Sequence, residues 1–431
     1  MVTSLIRPSD HSNDRSHDRH SQPCLDDISI SQPLLEQETP EVSPPIKLLY
    51  VTTIPATLYF HLGQIQYMKD RGFEVSALSS PGNLPVQLAG ENAIEVHFVE
   101  MPRRITPWHD LKALYRLWQT IRQIQPDLIH ASTPKGGLLG TIAAFLARVP
   151  ARIYQMRGLP LMTATGWKYA LLWLTEWIAC RLSHDVICVS HGLRSEAIDR
   201  HLCAEDKIHV LRSGSSNGVD ALTRFNPDRY DPRLRNQLRE QYGIPNDAIV
   251  VGYVGRIVKD KGLNELTEAW KTVERNFSKA HLVIVGGFED QDPVAPETRQ
   301  FLHEHPSVHL IGEVEETSPL YMMMDIFVLP TYREGFPNVL LEASAMKLPI
   351  VTTDIPGCVD AVNHCENGLV VPVRDAPALS KAIASYLQST HLRQLHGNQG
   401  RDRILSQFTQ EDLWESLYQS YLQLLKVRQV L

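Results

Sequence analysis

From Ile46 onward the chain alternates short apolar, often β-branched runs with longer stretches of helical spacing. The first series is IKLLYVTT (46–53), FEVSALSS (73–80), IEVHFVEM (94–101), DLIHAS (127–132), ARIYQMRG (151–158), DVICVS (185–190) and IHVLRSG (208–214). A second series follows: AIVVGYVG (248–255), HLVIVGG (281–287), VHLIGEV (308–314), DIFVLPT (325–331), PIVTTD (349–354) and GLVVPV (368–373). Continuously apolar strands separated by helices predict parallel sheets covered on both faces. Two such series predict two doubly wound, Rossmann-like α/β domains facing across a cleft, with the ligand outside the carboxyl ends of the strands. The polar, proline-containing stretch 225–247 reads as the connection between them. The expected organisation is a tail (1–45), a first domain (46–220), a second domain (221–408) and a C-terminal helix (409–431) crossing back to the first domain.

Residues 1–45 contain six prolines and no aromatic residue, too little apolar surface to offset the entropy of ordering, so a disordered tail is expected. Its His11, His17 and His20 lie in flexible polar surroundings that do not specify a metal. Over the whole chain 42 basic and 49 acidic residues give a net charge of −7, which disfavours a general nucleic-acid binder. The charge is uneven: −5 over 1–45, +4 over 46–220 and −6 over 221–431. The first globular half is therefore the one suited to an anionic surface. Six cysteines without a C-x-x-C pair point to neither zinc nor a redox dithiol, and fit a reduced cytoplasm. No signal-peptide core or membrane-spanning run is present in the sequence.

GWKYALLWLTEWIACRL (166–182) has the look of a helix apolar around most of its circumference, and five of the seven tryptophans fall between Trp108 and Trp177. Two readings stand: a face resting on a headgroup layer, or a core helix that buries its indoles.

The chemistry concentrates in 325–357. A strand leads into a loop from Thr331 to Phe336, and a helix opens near Pro337, whose fixed φ suits the first turn. Its N-terminus would aim backbone amides and a positive dipole end at the cleft, toward phosphate or sugar oxygens. Glu334 in the loop and Glu342 two turns on are about 10 Å apart, too far to share a proton or to act as a retaining glycosidase pair. They suit two hydroxyl-bearing ends of one elongated ligand; taken singly, each also reads as a solvated surface acid. In VGYVGRIVKDKGL (251–263), Arg256 and Lys261 follow a buried strand and precede a helix, a pair suited to a diphosphate. The segment does not match G-x-G-x-x-G, TPKGGLLG (133–140) lacks the order of a P-loop, and Asp290-Gln291-Asp292 imitates a D-x-D metal motif in a loop. His130 and His191 end strands near the expected cleft and read as structural histidines.

GRIVKDKGL together with EGFPNVLLEA, an E-x7-E pair, resembles glycosyltransferase family 4, retaining enzymes of the two-domain GT-B fold. KLLYVTTIPATLYF, STPKGGLLG, IYQMRGLP and SSNGVDALTRF resemble its capsular-polysaccharide and lipid-linked-oligosaccharide branch, over about residues 46–425. The resemblance implies metal-independent transfer, without a cofactor, from a UDP-sugar, possibly an N-acetylated hexose, to a lipid-linked saccharide. It assigns the donor diphosphate to Arg256 and Lys261, the ribose to Glu342 and the donor sugar to Glu334. Backbone groups of Gly335, Phe336, Pro337 and Asn338 line the sugar and phosphate, and the stretch around Gly312 and Val314 receives the base. The enzyme is then expected in the cytoplasm, peripheral at the inner face of the cell membrane. Two departures stand out: Ile54 to Leu58 replaces a Gly-Gly loop, and Arg157 stands where many members carry histidine. Arg157 and Lys135 are accordingly expected to hold the phosphates of a polyprenyl-diphosphate acceptor. A GT-B-like sugar-nucleotide epimerase and a non-catalytic sugar-nucleotide-binding protein are the alternatives. An epimerase needs acids and bases around a fixed sugar, which this carboxylate spacing does not supply.

Overall fold

The computed structural model describes residues 45–82, 94–102, 104 and 106–431. The expectations for 1–44, including the tail histidines, lie outside the described residues. Among these, the first lobe carries strands β1 (Ile46–Val51), β2 (Phe73–Ser79), β3 (Glu95–Phe98), β4 (Leu128–Ser132), β5 (Ala151–Met156), β6 (Asp185–Cys188) and β7 (Ile208–Val210). Helices α1 (Leu62–Lys69), α2 (Pro107–Ile124), α3 (Pro134–Leu146), α4 (Gly166–Leu182) and α5 (His191–Asp199) connect them. The second lobe opens with α6 (Leu234–Gln241) and holds β8 (Ile249–Val254), β9 (Ala280–Val285), β10 (Val308–Gly312), β11 (Ile326–Leu329), β12 (Ile350–Thr353) and β13 (Gly368–Val371). Its other helices are α7 (Leu263–Asn276), α8 (Pro296–Glu304), α9 (Asn338–Ala345), α10 (Cys358–Ala361), α11 (Ala376–Gln388) and α12 (Thr390–Gln407), and α13 (Gln410–Val427) ends the chain.

Both sheets are parallel and doubly wound, in the orders β3-β2-β1-β4-β5-β6-β7 and β10-β9-β8-β11-β12-β13. The expected strands are all found, each within a few residues of its apolar run. Burial explains why: Leu48, Leu49, Tyr50 and Val51 of β1 are all excluded from solvent. Leu48 and Tyr50 pack with α1 and α13, while Leu49 and Val51 pack with α2 and α3. Each sheet reverses direction once, between β1 and β4 and between β8 and β11, and at these switch points the strand-to-helix loops diverge and leave a crevice.

The chain passes between the lobes along two adjacent paths. Val219 N donates to the Phe408 carbonyl at 2.9 Å, and Gly218 (φ 63°) sits so close that a β-carbon there would lie 2.7 Å from the same oxygen. Beyond Thr409, α13 returns to the first lobe. Leu413, Leu417, Tyr421 and Leu425 enter its core, and the Trp414 ring covers Gly63, leaving no room for a side chain there.

The stretch 225–247 is more than a connection. It contains α6, whose Arg239 is fully buried, donating to the carbonyls of Met323, Asn246 and Ala248 and to Asp325 at 2.8 Å. Arg235 takes the other Asp325 oxygen at 2.6 Å. A buried guanidinium with its donors satisfied supports a helix that hydropathy reads as solvated loop.

Under the first-lobe crevice lies a buried polar group. Gln64 donates to the Ser216 carbonyl at 2.8 Å, which turns its oxygen toward His61 Nδ1, also at 2.8 Å, and His130 Nδ1 meets the Tyr421 hydroxyl at 2.5 Å. His130 thus belongs to the core rather than to the cleft edge, while His191 is exposed at the start of α5. Burial, helped by the charge of Arg157, depresses His61 well below the usual histidine value and His130 to about 3. Glu176, buried on α4, receives the Tyr154 hydroxyl at 2.6 Å and is raised by burial to about 7.

Acidification therefore acts in two directions. The histidines contribute stability that is present above pH 6.5 and lost as pH falls, whereas Glu176 contributes stability that is present below pH 4.5 and lost as pH rises through 7. Denaturant melts of Glu176→Gln should show a loss of stability from pH 7 to pH 5 that is steeper than in the wild type by about 2 kcal/mol. A shallower pH dependence in that variant would contradict the assignment.

Candidate active site

The β8–α7 and β11–α9 loops flank the switch point of the second sheet. Gly262 (φ 72°) starts α7 so close to β11 that a β-carbon would lie 1.9 Å from the Pro330 carbonyl oxygen, so only glycine lets these loops meet. The Asp260 carbonyl accepts from Tyr332 N at 2.8 Å and from Thr331 Oγ1 at 3.1 Å, and Arg333 pairs with the Asp260 carboxylate at 2.9 Å. On this frame Lys261 Nζ and Glu334 Oε1 form an ion pair. Their side chains are only 18% and 16% exposed, so the pair is poorly screened by solvent. Arg256 is 57% exposed and reaches out to Glu289 at 2.6 Å, while its own carbonyl is held by the Tyr253 hydroxyl at 2.7 Å.

Glu342 lies on α9, half-buried, and its Oε2 accepts the Tyr321 hydroxyl at 2.7 Å. Burial raises its pKa, an effect opposed by that hydrogen bond and by the charge of Arg224. Glu334 and Glu342 therefore have separate partners, one a cation at the cleft and one a buried phenol.

Gly335 makes the seam between the lobes. A β-carbon there would lie 1.9 Å from the Arg157 carbonyl oxygen, and one on Gly357 would lie 2.3 Å from the Gly335 carbonyl oxygen. Phe336 packs on Gly214 and, at 5.6 Å between ring centroids, on Phe408. Pro337 caps α9 from its N-cap position rather than within the first turn, no side chain caps this end, and Asn338 Oδ1 lies 3.4 Å from Ser215 Oγ. Of Gly335 to Asn338, only Gly335 lines the cleft; the other three belong to the seam beside it. Gly312 (φ 85°) and Val314 lie at the outer end of β10, with the Gly312 carbonyl accepting from Gly286 N, and neither borders the cleft cavity.

That cavity, 930 Å³ between the lobes, brings together Arg256, Lys261, Glu334, Gly335 and Arg157. Lys135 is not among its lining residues. Its ammonium is held by Asp110 at 2.7 Å and by the Arg104 carbonyl. Arg104, Lys168, Lys259, Arg333 and Arg374, which carry no motif signal, do line it. Asp292 of the D-x-D lookalike accepts from Asp260 N at 2.8 Å, bracing the loop. Among the described residues no three acids, histidines or cysteines are grouped to hold a metal ion.

The family of glycosyl transferases group 1 matches residues 235–403, and a glycosyl transferase 4-like domain matches residues 61–214. The capsular polysaccharide biosynthesis glycosyltransferase CapM of Staphylococcus aureus is 36% identical over 381 residues, covering 88% of this chain and 98% of CapM. The chain belongs to glycosyltransferase family 4. The N,N'-diacetylbacillosaminyl-diphospho-undecaprenol alpha-1,3-N-acetylgalactosaminyltransferase of Campylobacter jejuni is 28% identical, over 81% of this chain and 91% of that enzyme. Anabaena HepE, solved in complex with UDP-glucose, superposes with a TM-score of 0.72 at 20% identity, over 88% of this chain and 100% of HepE, which shows the shared GT-B fold. The match starting at residue 235 includes most of α6 and its buried Arg239.

The seam yields a direct expectation for this glycosyltransferase. Gly335→Ala must push Arg157 away, and a displacement of about 1 Å at a reacting site costs roughly 10²-fold. Glycosyl transfer should fall by about that factor with the circular dichroism unchanged; an unaffected rate would show that the lobes do not need to meet there.

Proposed function

We propose that this enzyme transfers a sugar, with retention, from a UDP-sugar to a lipid-linked saccharide in cell-surface polysaccharide or oligosaccharide synthesis, at the inner face of the cell membrane. The observation that carries the donor half is the Lys261–Glu334 pair at the switch point of the second sheet, beside Arg256 and the uncapped start of α9. Lys261 and Arg256 take the diphosphate, Arg256 leaving Glu289 to do so, and the α9 N-terminus adds its positive end. Glu334, held by Lys261, accepts from a sugar hydroxyl; Glu342, turned by Tyr321, accepts from the ribose. Backbone groups of Gly335 border the sugar and phosphate, while Phe336, Pro337, Asn338 and the Gly312–Val314 stretch stand outside the cavity. The catalytic groups in this reading are Glu334, Arg256 and Lys261.

The reaction breaks the bond from the sugar's anomeric carbon to the β-phosphate oxygen and forms one to an acceptor hydroxyl oxygen on the same face. The acceptor proton passes to the departing diphosphate, so the products are a retained glycoside and UDP. Charge develops on the leaving oxygen, which in this reading Lys261, Arg256 and the α9 N-terminus meet, so the proposal needs neither metal nor cofactor. An N-acetylated hexose and a lipid diphosphate acceptor are supported by what the Campylobacter relative's name records of that enzyme.

Docking at a membrane is supported by the first lobe's surface. α3 packs between α2 and α4, and together these helices expose Trp108 (84%), Trp167 (75%), Leu111, Tyr115, Phe145 and Trp177. The indoles that the sequence allowed in the core are thus partly outside it: Trp173 is half-buried, stacked 6.3 Å from Trp177. Lys112, Arg116 and Lys168 are exposed on the same helices. No described helix is long and apolar enough to cross a membrane. An anionic bilayer is the occupant that suits aromatic residues interleaved with cations.

Lys261→Ala and Arg256→Ala should each lower transfer by roughly 10²–10³-fold, measured as UDP released from a panel of UDP-sugars with a polyprenyl-diphosphate sugar as acceptor. EDTA should leave the wild-type rate in place; a loss reversed by added metal would refute the electrostatic account. On liposome flotation the protein should rise with anionic vesicles at low salt and not with neutral ones. Failure to float with either, with good transfer to a water-soluble acceptor, would overturn the lipid-linked acceptor.

A further inference from the structure

The two sheets end differently at their switch points. In the second lobe the loops after β8 and β11 meet through Gly262, and Lys261 and Glu334, carried on them, line the cleft cavity. In the first lobe the corresponding loops, after β1 and β4, are joined by two threonines. Thr53 Oγ1 and Thr133 Oγ1 are 2.6 Å apart, Thr53 N donates to Thr133 Oγ1 at 3.2 Å, and Thr53 Oγ1 accepts from Gly136 N at 2.9 Å. Gly136 N is one of the amides that the start of α3 leaves without an intrahelical partner. A hydroxyl of the protein's own thus takes a donor at the place where sheets of this winding ordinarily receive a ligand.

The backbone is strained by this arrangement. Thr133 has φ 69° and ψ 152°, a conformation essentially reserved for glycine, which a β-branched residue keeps only where its surroundings hold it. Thr53 supplies the hold, and its own place is fixed: its carbonyl accepts from Ser80 N at 3.3 Å, and Ser80 Oγ accepts from Met101 N at 2.8 Å. The fit leaves no play. A β-carbon on Gly136 would lie 2.8 Å from Thr53 N and 2.9 Å from Thr133 Oγ1, and one on Gly137 would lie 2.3 Å from the Tyr154 ring.

What this clasp orients is a wall of the cleft. Pro134, next in the chain to Thr133, lines the cavity. Lys135 follows it, and its ammonium reaches the Arg104 carbonyl and, at 2.7 Å, Asp110 Oδ1, while Asp110 accepts from Thr106 N at 3.2 Å. The segment before α2, with Arg104 on the cavity, is therefore hung on the start of α3. A rotation of the backbone at Thr133 would swing both together. The donor residues Lys261 and Glu334 are set separately, by the Gly262 turn and the Asp260–Arg333 pair.

We propose that Thr53 and Thr133 are positioning residues for the acceptor: their hydroxyl clasp holds Thr133 in its strained conformation and so sets the first-lobe wall, at Pro134 and Arg104, against which the acceptor is placed. The proposal rests on the reading above in which the acceptor is met at the membrane-facing first lobe. Kinetics with donor and acceptor varied separately test it. Thr53→Val, which keeps the shape and removes the hydroxyl, should raise KM for the acceptor roughly tenfold and leave UDP affinity, by calorimetry, within about twofold. Thr53→Ser and Thr133→Ser should keep the wild-type KM. Thr133→Gly takes the same backbone conformation without strain, so it should melt no lower than Thr133→Val and still share its raised KM. The Thr53→Val/Thr133→Val double variant should raise KM by less than the product of the two single effects.

An unchanged acceptor KM in Thr53→Val, or a UDP affinity that falls as far as that KM rises, would overturn the proposal, as would a wild-type KM in Thr133→Gly. Each comparison is a ratio of variant to wild type, made with whichever acceptor the wild type uses, a polyprenyl-diphosphate sugar or a water-soluble saccharide. The wild type's choice between those two tests the lipid-linked reading by itself, so that reading can fall while the clasp stands, and the reverse.

Discussion

Everything at the active site depends on how closely the two lobes meet at Gly335. Its α-carbon lies against the Arg157 carbonyl with no space for a methyl group, and Gly357 in turn leaves no space for one against the Gly335 carbonyl. This contact fixes the width of the cleft. It sets Glu334 and Lys261, on one side, opposite Arg157 on the other, and it holds the start of α9 at the edge of the cavity. The returning α13, anchored by Tyr421 on His130 and Trp414 on Gly63, ties the end of the chain to the first lobe and so limits how far that seam can open.

The second-lobe wall of the cleft carries its charge as ion pairs. Its cations are stored with acids, and in the proposed donor site a diphosphate takes Arg256 from its more open pair with Glu289 more readily than Lys261 from its shielded pair with Glu334. The first-lobe wall carries Arg104 and Lys168 near helices that present tryptophans and leucines outside.

Much of this was legible in the sequence, for identifiable reasons. Parallel strands buried on both faces write continuous apolar runs, so β1 through β13 and the pairing of two sheets could be read directly. The turn at Gly262 and the loop ending at Gly335 were visible because glycine beside cations and acids at strand ends is a local signal. Contacts between residues far apart in sequence were not. Arg239 looks solvated until five hydrogen bonds bury it, so α6 reads as linker. Lys135 looked like a ligand because its partner Asp110 lies 25 residues away. Arg104 and Lys168 belong to no motif, and only the packing of α3 between α2 and α4 brings them to one wall.

The central claim is that the Lys261–Glu334 pair marks where a nucleoside diphosphate binds. Comparing UDP with uridine by calorimetry isolates the diphosphate from the base and ribose. The account predicts that Lys261→Ala weakens UDP by roughly 10- to 100-fold and leaves uridine unchanged, so the preference for UDP collapses. It predicts that Glu342→Gln weakens both ligands alike, preserving that preference. A Lys261→Ala protein that still prefers UDP over uridine as strongly as the wild type would contradict the account.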